Sequence, residues 1–218
     1  MLSGLSPLSW VAALKREWLL YHLGDPRFRF MWDKPPAEEW VALDCETTGL
    51  NTRTDDIISI GAVRIKGNRI MTSERLELIV RPEKRLSADS VRVHRLREQD
   101  VAQGMAPDEA MMQLMRFIGS RPLVGYYLEF DVAMINRVLF PMLGMGLPQP
   151  KIEVSALYYD YKYQQLPSSA RDNSSIDLRF DGLMKDLGLP LRPAHDAVND
   201  AVMAALAFLK LRQLRLLG

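Results

Sequence analysis

An apolar stretch, Trp40 to Leu50, most constrains the fold because it carries two carboxylates among residues typical of a buried strand. Side chains alternate across a strand, so Asp44 and Glu46 point to the same face. Adjacent like charges in a core segment repel each other and lose hydration, which a fold tolerates when a cation lies between them. A hard divalent metal ion is the natural candidate. On this stretch alone, a solvated strand end followed by an ordinary turn stays an open alternative.

The length of 218 residues leaves room for one domain of ordinary size, with or without an appendage. The composition, 48% apolar and 25% charged, is that of a globular protein. A formal net charge of +1 neither requires nor excludes a polyanionic partner, because basic residues can gather on one face. Cys45 is the single cysteine, which excludes an intrachain disulfide and a thiolate zinc cluster, and we expect it to be buried. No apolar run is as long as a membrane span, and Lys15 and Arg16 interrupt the apolar N-terminus, so we expect a cytoplasmic protein.

The sequence pattern predicts a helical extension over residues 1–36, which precedes a main domain over residues 37–218. The segment Ser9 to Leu23 has a helical pattern, with Gly24 after its last turn, and Pro35-Pro36 marks the boundary. One stripe of this helix is aromatic and apolar. We expect this stripe to pack on the main domain, and the alternative is a surface for a homodimer or a protein partner. The stripe consists of Trp10, Leu14, Trp18 and Tyr21.

The remainder of the chain alternates β-rich runs with helical patterns. Two runs separated by Lys66-Gly67-Asn68 predict a hairpin that continues the sheet from the first strand. The predicted strands after the first are Ile57–Ile65, Ile70–Val80, Leu123–Tyr126 and Lys151–Val154. Short helical turns are expected over Ser87–Val101, and a long polar loop over Gln164–Arg179. The first predicted helix of the main domain begins at Pro107. The others span Glu129–Leu143, Ala156–Tyr163, Phe180–Leu187 and Asp196 to nearly Gly218.

Three further polar residues occupy positions that are unusual for ordinary helices. Asp131 shares its stripe with Met134 and Ile135, so a carboxylate begins an apolar helix face, where it also stabilises free backbone amides. His195 and Asp200 are five residues apart, which separates them by ~140° on a regular helix. We therefore place His195 just before the last helix and Asp200 in its second turn. Small residues around Asp200 predict a close approach of this helix to the sheet.

Asp44, Glu46, Asp131 and Asp200 together offer an oxygen-rich site suited to two Mg²⁺ or Mn²⁺ ions. Two such ions ~3.5–4 Å apart activate a water molecule and stabilise the leaving oxygen of a phosphodiester. A neutral histidine beside that water, His195, takes its proton.

The order and spacing of three motifs resemble the DnaQ-like 3′-to-5′ exonucleases of the DEDDh subgroup, whose type member is the proofreading epsilon subunit of a bacterial replicative polymerase. The first motif is Asp44-Cys-Glu-Thr-Thr-Gly-Leu50, followed by Asp56-Ile-Ile-Ser-Ile-Gly-Ala-Val63. The second is Phe130-Asp131 after a short Val-Gly strand. The third is His195-Asp-Ala-Val-Asn-Asp200. Each motif alone is weak, but the three in this order are specific.

The resemblance implies an α/β protein with a ribonuclease-H-like fold, in which helices flank a mixed five-stranded sheet. It implies that the four acids hold the metal ions and that His195 is the general base. The substrate would be the 3′ end of a single strand, with DNA favoured over RNA, and the products would be nucleoside 5′-monophosphates. By similarity, Thr47, Leu50 and His94 would contact the terminal nucleotide, with Leu50 as an apolar wedge.

The chain departs from the family pattern at Tyr126-Tyr127, where relatives often have His-Asn. We expect both tyrosines to be buried aromatic residues, with stacking on a base as the alternative. Arg95 also replaces a usual glycine beside His94. Two other functions stay open at this point. One is an exoribonuclease of the RNase T or oligoribonuclease kind, and the other is an inactive nucleic-acid-binding scaffold.

Overall fold

The computed structural model describes residues 7–84, 86, 96–167, 175–193 and 195–217. The strands are β1 (Glu39–Thr47), β2 (Ile57–Lys66), β3 (Arg69–Ile79), β4 (Leu123–Gly125) and β5 (Lys151–Glu153). A 3-10 helix spans Pro26–Trp32. The α-helices are α1 (Pro7–Tyr21), α2 (Glu98–Ala102), α3 (Pro107–Ile118), α4 (Leu128–Leu143), α5 (Val154–Gln165), α6 (Phe180–Asp186) and α7 (Ala197–Leu217).

The five strands form one mixed sheet in the order β3-β2-β1-β4-β5. Strands β1, β2 and β3 are antiparallel neighbours, whereas β1, β4 and β5 are parallel neighbours. The predicted hairpin is confirmed, and Gly67 takes a φ of 57° in its turn. Because β1, β4 and β5 run in one direction, their carboxyl ends meet at the same edge of the sheet. The predicted fold class is confirmed.

Helices cover both faces of the sheet, so β1 is buried on its two sides. Leu43 of β1 belongs to one apolar core with residues of α3, α4 and the 3-10 helix. Ala42 belongs to the other core with residues of α5, α6 and α7. Alternation along the strand therefore directs Asp44 and Glu46 to the same face as Ala42, which is the face that α7 covers. Cys45, on the opposite face, is buried and free as predicted.

Helix α7 packs against β2 with almost no space between the two backbones. A β-carbon placed on Gly61 would lie 2.1 Å from the carbonyl carbon of Ala197. The predicted close approach of this helix to the sheet is confirmed, and a glycine on the strand contributes to it as much as the small helix residues do. This contact holds the first turn of α7, and with it Asp200, against the site.

The predicted N-terminal helix is present as α1, but the expected packing of its aromatic stripe is wrong. Trp18 is 61% exposed and Tyr21 is 86% exposed. Leu19 and Leu20 contact the core instead, and the Arg16 side chain donates a hydrogen bond to the Trp32 carbonyl. The helix carries apolar residues on more than one side, and periodicity alone does not determine which side docks. The division of the chain into residues 1–36 and 37–218 stays a prediction.

Two predicted features lie partly or wholly outside the described residues. One is the segment Ser87–Val101, which includes His94 and of which the structure describes residues 96–101. The centre of the predicted loop Gln164–Arg179, residues 168–174, is the other. Among the described helices, none combines the length and the apolar character that crossing a membrane requires.

Candidate active site

Three carboxylates from two elements meet at the edge where the parallel strands end. Asp44 and Glu46 project from β1, and Asp200 projects from the first turn of α7. One oxygen from each of the three lies within 4.8 Å of the others. Strand alternation brings the first two together, and the close packing of α7 on Gly61 brings the third to them.

Asp131 reaches the same place from the first turn of α4. The residue is 4% exposed, and its Oδ1 accepts a hydrogen bond of 3.0 Å from the backbone amide of Cys45. Asp131 and Asp44 line the same cavity. The structure thus brings the four predicted carboxylates to one site, with the three ligand oxygens of Asp44, Glu46 and Asp200 in the tightest group.

Burial and mutual repulsion raise the pKa values of these four acids, so the acids keep their protons to a higher pH than usual. Burial raises the pKa of Glu46 to about 7, and the charges of Asp200 and Asp196 add to the effect. Burial raises the pKa of Asp131 to about 8. Burial, followed by the charge of Asp131, raises the pKa of Asp44 well above its usual value. The pKa of Asp200 is also raised by burial.

This donor set fits a divalent cation. Carboxylates that repel each other at close range are stabilised by a hard positive charge among them, and oxygen ligands are those that Mg²⁺, Mn²⁺ and Ca²⁺ prefer. The three oxygens within 4.8 Å of one another are close enough to share an ion. The predicted cluster of acidic residues is present, and its chemistry makes it a candidate metal site.

His195 lies immediately before α7, as predicted from its spacing to Asp200. It takes a left-handed backbone conformation with a φ of 63°. Its backbone amide donates a hydrogen bond of 3.0 Å to Oδ2 of Asp200. The side chain lines the same cavity as the acids, and the residue is exposed. Asp200 therefore helps to fix the turn that presents this imidazole to the site.

The acids, His195 and several aromatic residues enclose a cavity of about 870 Å³. Its size and its mixture of apolar and charged walls are typical of a ligand site. The residues that line it are Asp44, Cys45, Glu46, Leu50, Tyr126, Tyr127, Glu129, Phe130, Asp131, Glu153, Ser155, His195 and Asp200.

The loop after β1 presents Leu50 at the mouth of this cavity. Leu50 is 86% exposed. The hydroxyl of Thr47 donates a hydrogen bond of 2.7 Å to the carbonyl of Gly49, so it holds the loop together. Oδ2 of Asp55 accepts the backbone amide of Asn51 at 2.8 Å. The loop is thus held by its own hydrogen bonds, with an apolar side chain at its tip.

The two tyrosines that depart from the family pattern behave differently from each other. The Tyr126 ring is half-buried, stacks on Phe180 with 4.3 Å between ring centroids, and its hydroxyl donates to the Leu178 carbonyl at 2.8 Å. Tyr127 is 57% exposed, so the expectation of a buried aromatic is wrong for this residue. Its left-handed conformation, with a φ of 53°, turns the chain just before α4 and directs the ring outward.

Sequence reasoning missed Glu153, which lies at the end of β5 in the same cavity. Its carboxylate accepts the backbone amides of Tyr127 at 3.0 Å and Leu128 at 2.8 Å, at the start of α4. It also accepts the backbone amide and the hydroxyl of Ser155, at the start of α5. The sequence did offer one signal for Glu153, which is an acid at the end of a predicted strand. Parallel strands end at the same edge of the sheet, so an acid at the end of β5 lies near the site.

The model of an exonuclease family matches residues 41–208. The chain therefore belongs to this family of hydrolases, and the predicted resemblance to DnaQ-like 3′-to-5′ exonucleases is confirmed. A DNA polymerase III subunit epsilon-like protein from Rhodobacter capsulatus is 30% identical over 173 residues, which is 79% of this chain and 23% of that protein. A PolC-type DNA polymerase III from Thermotoga maritima is 26% identical over 78% of this chain. The chain spans about 12% of the length of that relative.

Solved structures agree on the fold. Escherichia coli exonuclease I in complex with a dA16 oligonucleotide gives a TM-score of 0.67 at 16% identity, over 82% of this chain and 42% of that chain. Exonuclease X in complex with 5′-overhanging duplex DNA gives a TM-score of 0.61 at 20% identity, over 80% of this chain and 92% of that chain. At these identities the likeness establishes the architecture.

Proposed function

We propose that this protein is a 3′-to-5′ exonuclease that hydrolyses single-stranded DNA to nucleoside 5′-monophosphates. The observation that carries the proposal is the convergence of Asp44, Glu46 and Asp200, with ligand oxygens within 4.8 Å, in a cavity that also contains His195. Membership of an exonuclease family supports phosphodiester hydrolysis as the reaction. The family motifs support removal of nucleotides from the 3′ end.

In this proposal Asp44, Glu46, Asp131 and Asp200 hold two divalent ions, Mg²⁺ or Mn²⁺. When bound, such ions neutralise charge on the scissile phosphate and the leaving oxygen and make the attacking water more acidic. The carboxylates supply the hard oxygen ligands, and β1, α4 and α7 hold them rigidly before substrate arrives. The buried amide of Cys45 fixes the orientation of one of these carboxylates, that of Asp131.

His195 accepts the proton of the attacking water. A neutral imidazole is suited to this task near neutral pH. The left-handed turn, held by the hydrogen bond from the His195 amide to Asp200, points the ring into the cavity while leaving it exposed to solvent. The proton therefore has a route to bulk water.

DNA is the favoured substrate because the relatives are named as DNA polymerase III proteins and two fold neighbours were solved with DNA. Leu50 would separate the terminal bases as an apolar wedge, and its exposure at the cavity mouth supports this role. Thr47 would contact the terminal nucleotide chiefly through its backbone, since its hydroxyl is bonded to Gly49. His94 is proposed as a further contact by family similarity alone.

A degradation assay tests the proposal. A 5′-labelled single strand should give a ladder of shortened products with Mg²⁺ or Mn²⁺ and none with EDTA. Asp44→Ala should abolish the ladder. Asp160→Ala should leave it intact, because Asp160 is an exposed acid of α5 that pairs with Arg215 of α7. Metal-independent degradation, or an active Asp44→Ala protein, would contradict the proposal.

Parallel assays with DNA and RNA strands distinguish the proposed function from the exoribonuclease and the inactive scaffold. Faster degradation of RNA than of DNA of the same sequence would establish the exoribonuclease alternative. Strand binding without degradation under all metal conditions would establish the inactive scaffold. A 3′-labelled strand should release its label in the first cleavage, and loss of label only at the end of digestion would exclude the 3′-to-5′ direction.

A further inference from the structure

We propose that Tyr127 is a base-stacking residue that receives a nucleobase of the single strand at the mouth of the active-site cavity. This inference rests on the proposed function, because the strand must enter the cavity for a base to meet the ring. Tyr127 lines the cavity that contains Asp44 and Asp131, and it is the most exposed aromatic side chain in that lining.

The Tyr127 ring is supported from behind. Its centroid lies 4.5 Å from that of Tyr126, at an interplanar angle of 57°. Tyr126 in turn stacks on Phe180, with 4.3 Å between centroids and 16° between planes. Three aromatic rings in contact limit the positions that the outermost ring can take. A ring that is already ordered loses little conformational freedom when a ligand stacks on it.

The backbone at Tyr127 is held in a conformation that a bulky residue rarely adopts. Its φ is 53°, in the left-handed region, where asparagine and glycine are the usual residues. The Glu153 carboxylate accepts its amide at 3.0 Å and keeps the turn in place. Strained backbone of this kind concentrates at functional sites, where the surrounding structure over-determines it. Here the turn keeps a large aromatic side chain exposed to the cavity.

The charges around Tyr127 favour a base over a phosphate. Glu129 and Glu153 line the same cavity as Tyr127 and the acids of the metal site, and the Glu153 carboxylate accepts the Tyr127 amide. Carboxylates repel a phosphodiester that has no cation beside it, so the strand's phosphates belong at the metal site and a neutral group belongs at the ring. Every base has a π-face, so such a contact tolerates any sequence and would act alike at successive nucleotides.

Strands that lack one base provide the test. The KM of the wild-type protein should rise roughly 5- to 150-fold when the base is removed from the terminal or the penultimate nucleotide, which is the range expected for one stacking contact. In Tyr127→Ala the ratio of the KM for the strand that lacks a base to the KM for the intact strand should fall toward one, because the ring that stacks on the base is missing. Tyr127→Phe should keep the wild-type ratio, since it retains the π-face. Equal ratios in the wild-type and alanine proteins would overturn the proposal.

Two controls keep the result interpretable. Tyr127→Asn suits the left-handed conformation and has no large ring, so it should match the alanine variant if stacking matters and the wild type if only the backbone matters. Fluorescence of 2-aminopurine at the terminal or penultimate position, measured in Ca²⁺ without turnover, reports stacking directly. The wild-type protein should quench it and the alanine variant should not. Quenching without any hydrolysis in Mg²⁺ or Mn²⁺ would refute the exonuclease proposal alone, and absent quenching by an active wild type would refute the stacking role.

Discussion

The backbone amide of Cys45 donates a hydrogen bond of 3.0 Å to Oδ1 of Asp131, which joins β1 to α4 within the cluster of acids. The same carboxylate thus has a structural role and a proposed metal-binding role. Two substitutions separate these roles. Asparagine keeps an oxygen that can accept this hydrogen bond but removes the charge, whereas alanine removes both.

At about pH 4, where the Asp131 carboxyl group is protonated in the folded protein, we expect Asp131→Asn to keep the free energy of unfolding of the metal-free protein within about 1 kcal/mol of wild type. Asp131→Ala should lower it by about 1–3 kcal/mol, because a buried amide loses its acceptor. Both variants should lose at least about 100-fold in kcat, since a metal ligand is worth several kcal/mol in the transition state. Urea unfolding in EDTA and the strand assay measure these effects. Equal stability of the two variants would show that the hydrogen bond contributes nothing.

The stability of the metal-free protein should fall as the pH rises through the neutral range. Burial raises the pKa of Glu46 to about 7 and that of Asp131 to about 8 in the folded protein. Unfolded carboxyl groups titrate near about 4, so the stabilisation from binding these protons is complete below that pH and is lost as the pH rises through about 7–8. We expect Tm in EDTA to drop by about 5–10 °C between pH 6 and pH 8.5.

A divalent cation should reverse this trend. Metal binding requires the deprotonated carboxylates, so the rise in Tm on adding Mg²⁺ or Mn²⁺ should be larger at pH 8.5 than at pH 6. The double variant Glu46→Gln, Asp131→Asn should show a flatter pH dependence in EDTA, because it lacks two of the four buried acids whose pKa values are raised. A metal-free Tm that rises from pH 6 to pH 8.5 would contradict the account.

Gly61 should not tolerate even a methyl group. A β-carbon there would lie 2.1 Å from the backbone of Ala197, so Gly61→Ala must push α7 and Asp200 away from β2. We expect a loss of about 3 kcal/mol in the free energy of unfolding and a lower kcat in the fraction that folds. Gly67→Asn is the matched control, since its β-carbon would meet nothing within 4 Å and asparagine tolerates the positive φ. An unchanged urea midpoint for Gly61→Ala would contradict the close contact.

The sequence predicted much of the fold because apolar periodicity and turn residues are local signals. The helix predicted over Glu129–Leu143 is observed as Leu128–Leu143, and the strand predicted over Lys151–Val154 as Lys151–Glu153. The packing of α1 was not predictable in this way. Its aromatic stripe has the same pattern as a buried stripe, and the docking side depends on contacts with the 3-10 helix that no local pattern encodes.

The candidate site was predicted to a similar extent, and for a related reason. Four acids and His195 stand in motifs whose spacing is specific, so their convergence could be foreseen. The role of Glu153 depends on where β5 ends relative to α4, which is a relation between distant segments. The exposure of Tyr127 depends on one left-handed residue, and a tyrosine gives no sequence signal for that conformation.

His195→Asn should separate the proton-transfer role of the imidazole from the backbone role of the residue. Asparagine tolerates a φ of 63° and keeps the amide that donates to Asp200. We expect kcat to fall by about 10²–10⁴-fold, with the Kd for a single strand in Ca²⁺ changed less than about threefold. A variant that loses strand binding as severely as kcat would point to a structural role instead.

Glu153→Ala should weaken the site through the two helices that Glu153 caps. The carboxylate satisfies the amides of Tyr127 and Leu128 at the start of α4 and of Ser155 at the start of α5. Losing one capping side chain costs about 0.5–2 kcal/mol, so we expect a loss of about 2 kcal/mol in urea unfolding. Because Asp131 stands in the first turn of α4, kcat should fall as well, and raising the metal concentration should restore part of it. Asp108→Ala, at an exposed acid in the first turn of α3, is the control and should leave kcat unchanged. If Glu153→Ala is destabilised to the expected extent but keeps its kcat at limiting metal, the capping of α4 does not position Asp131.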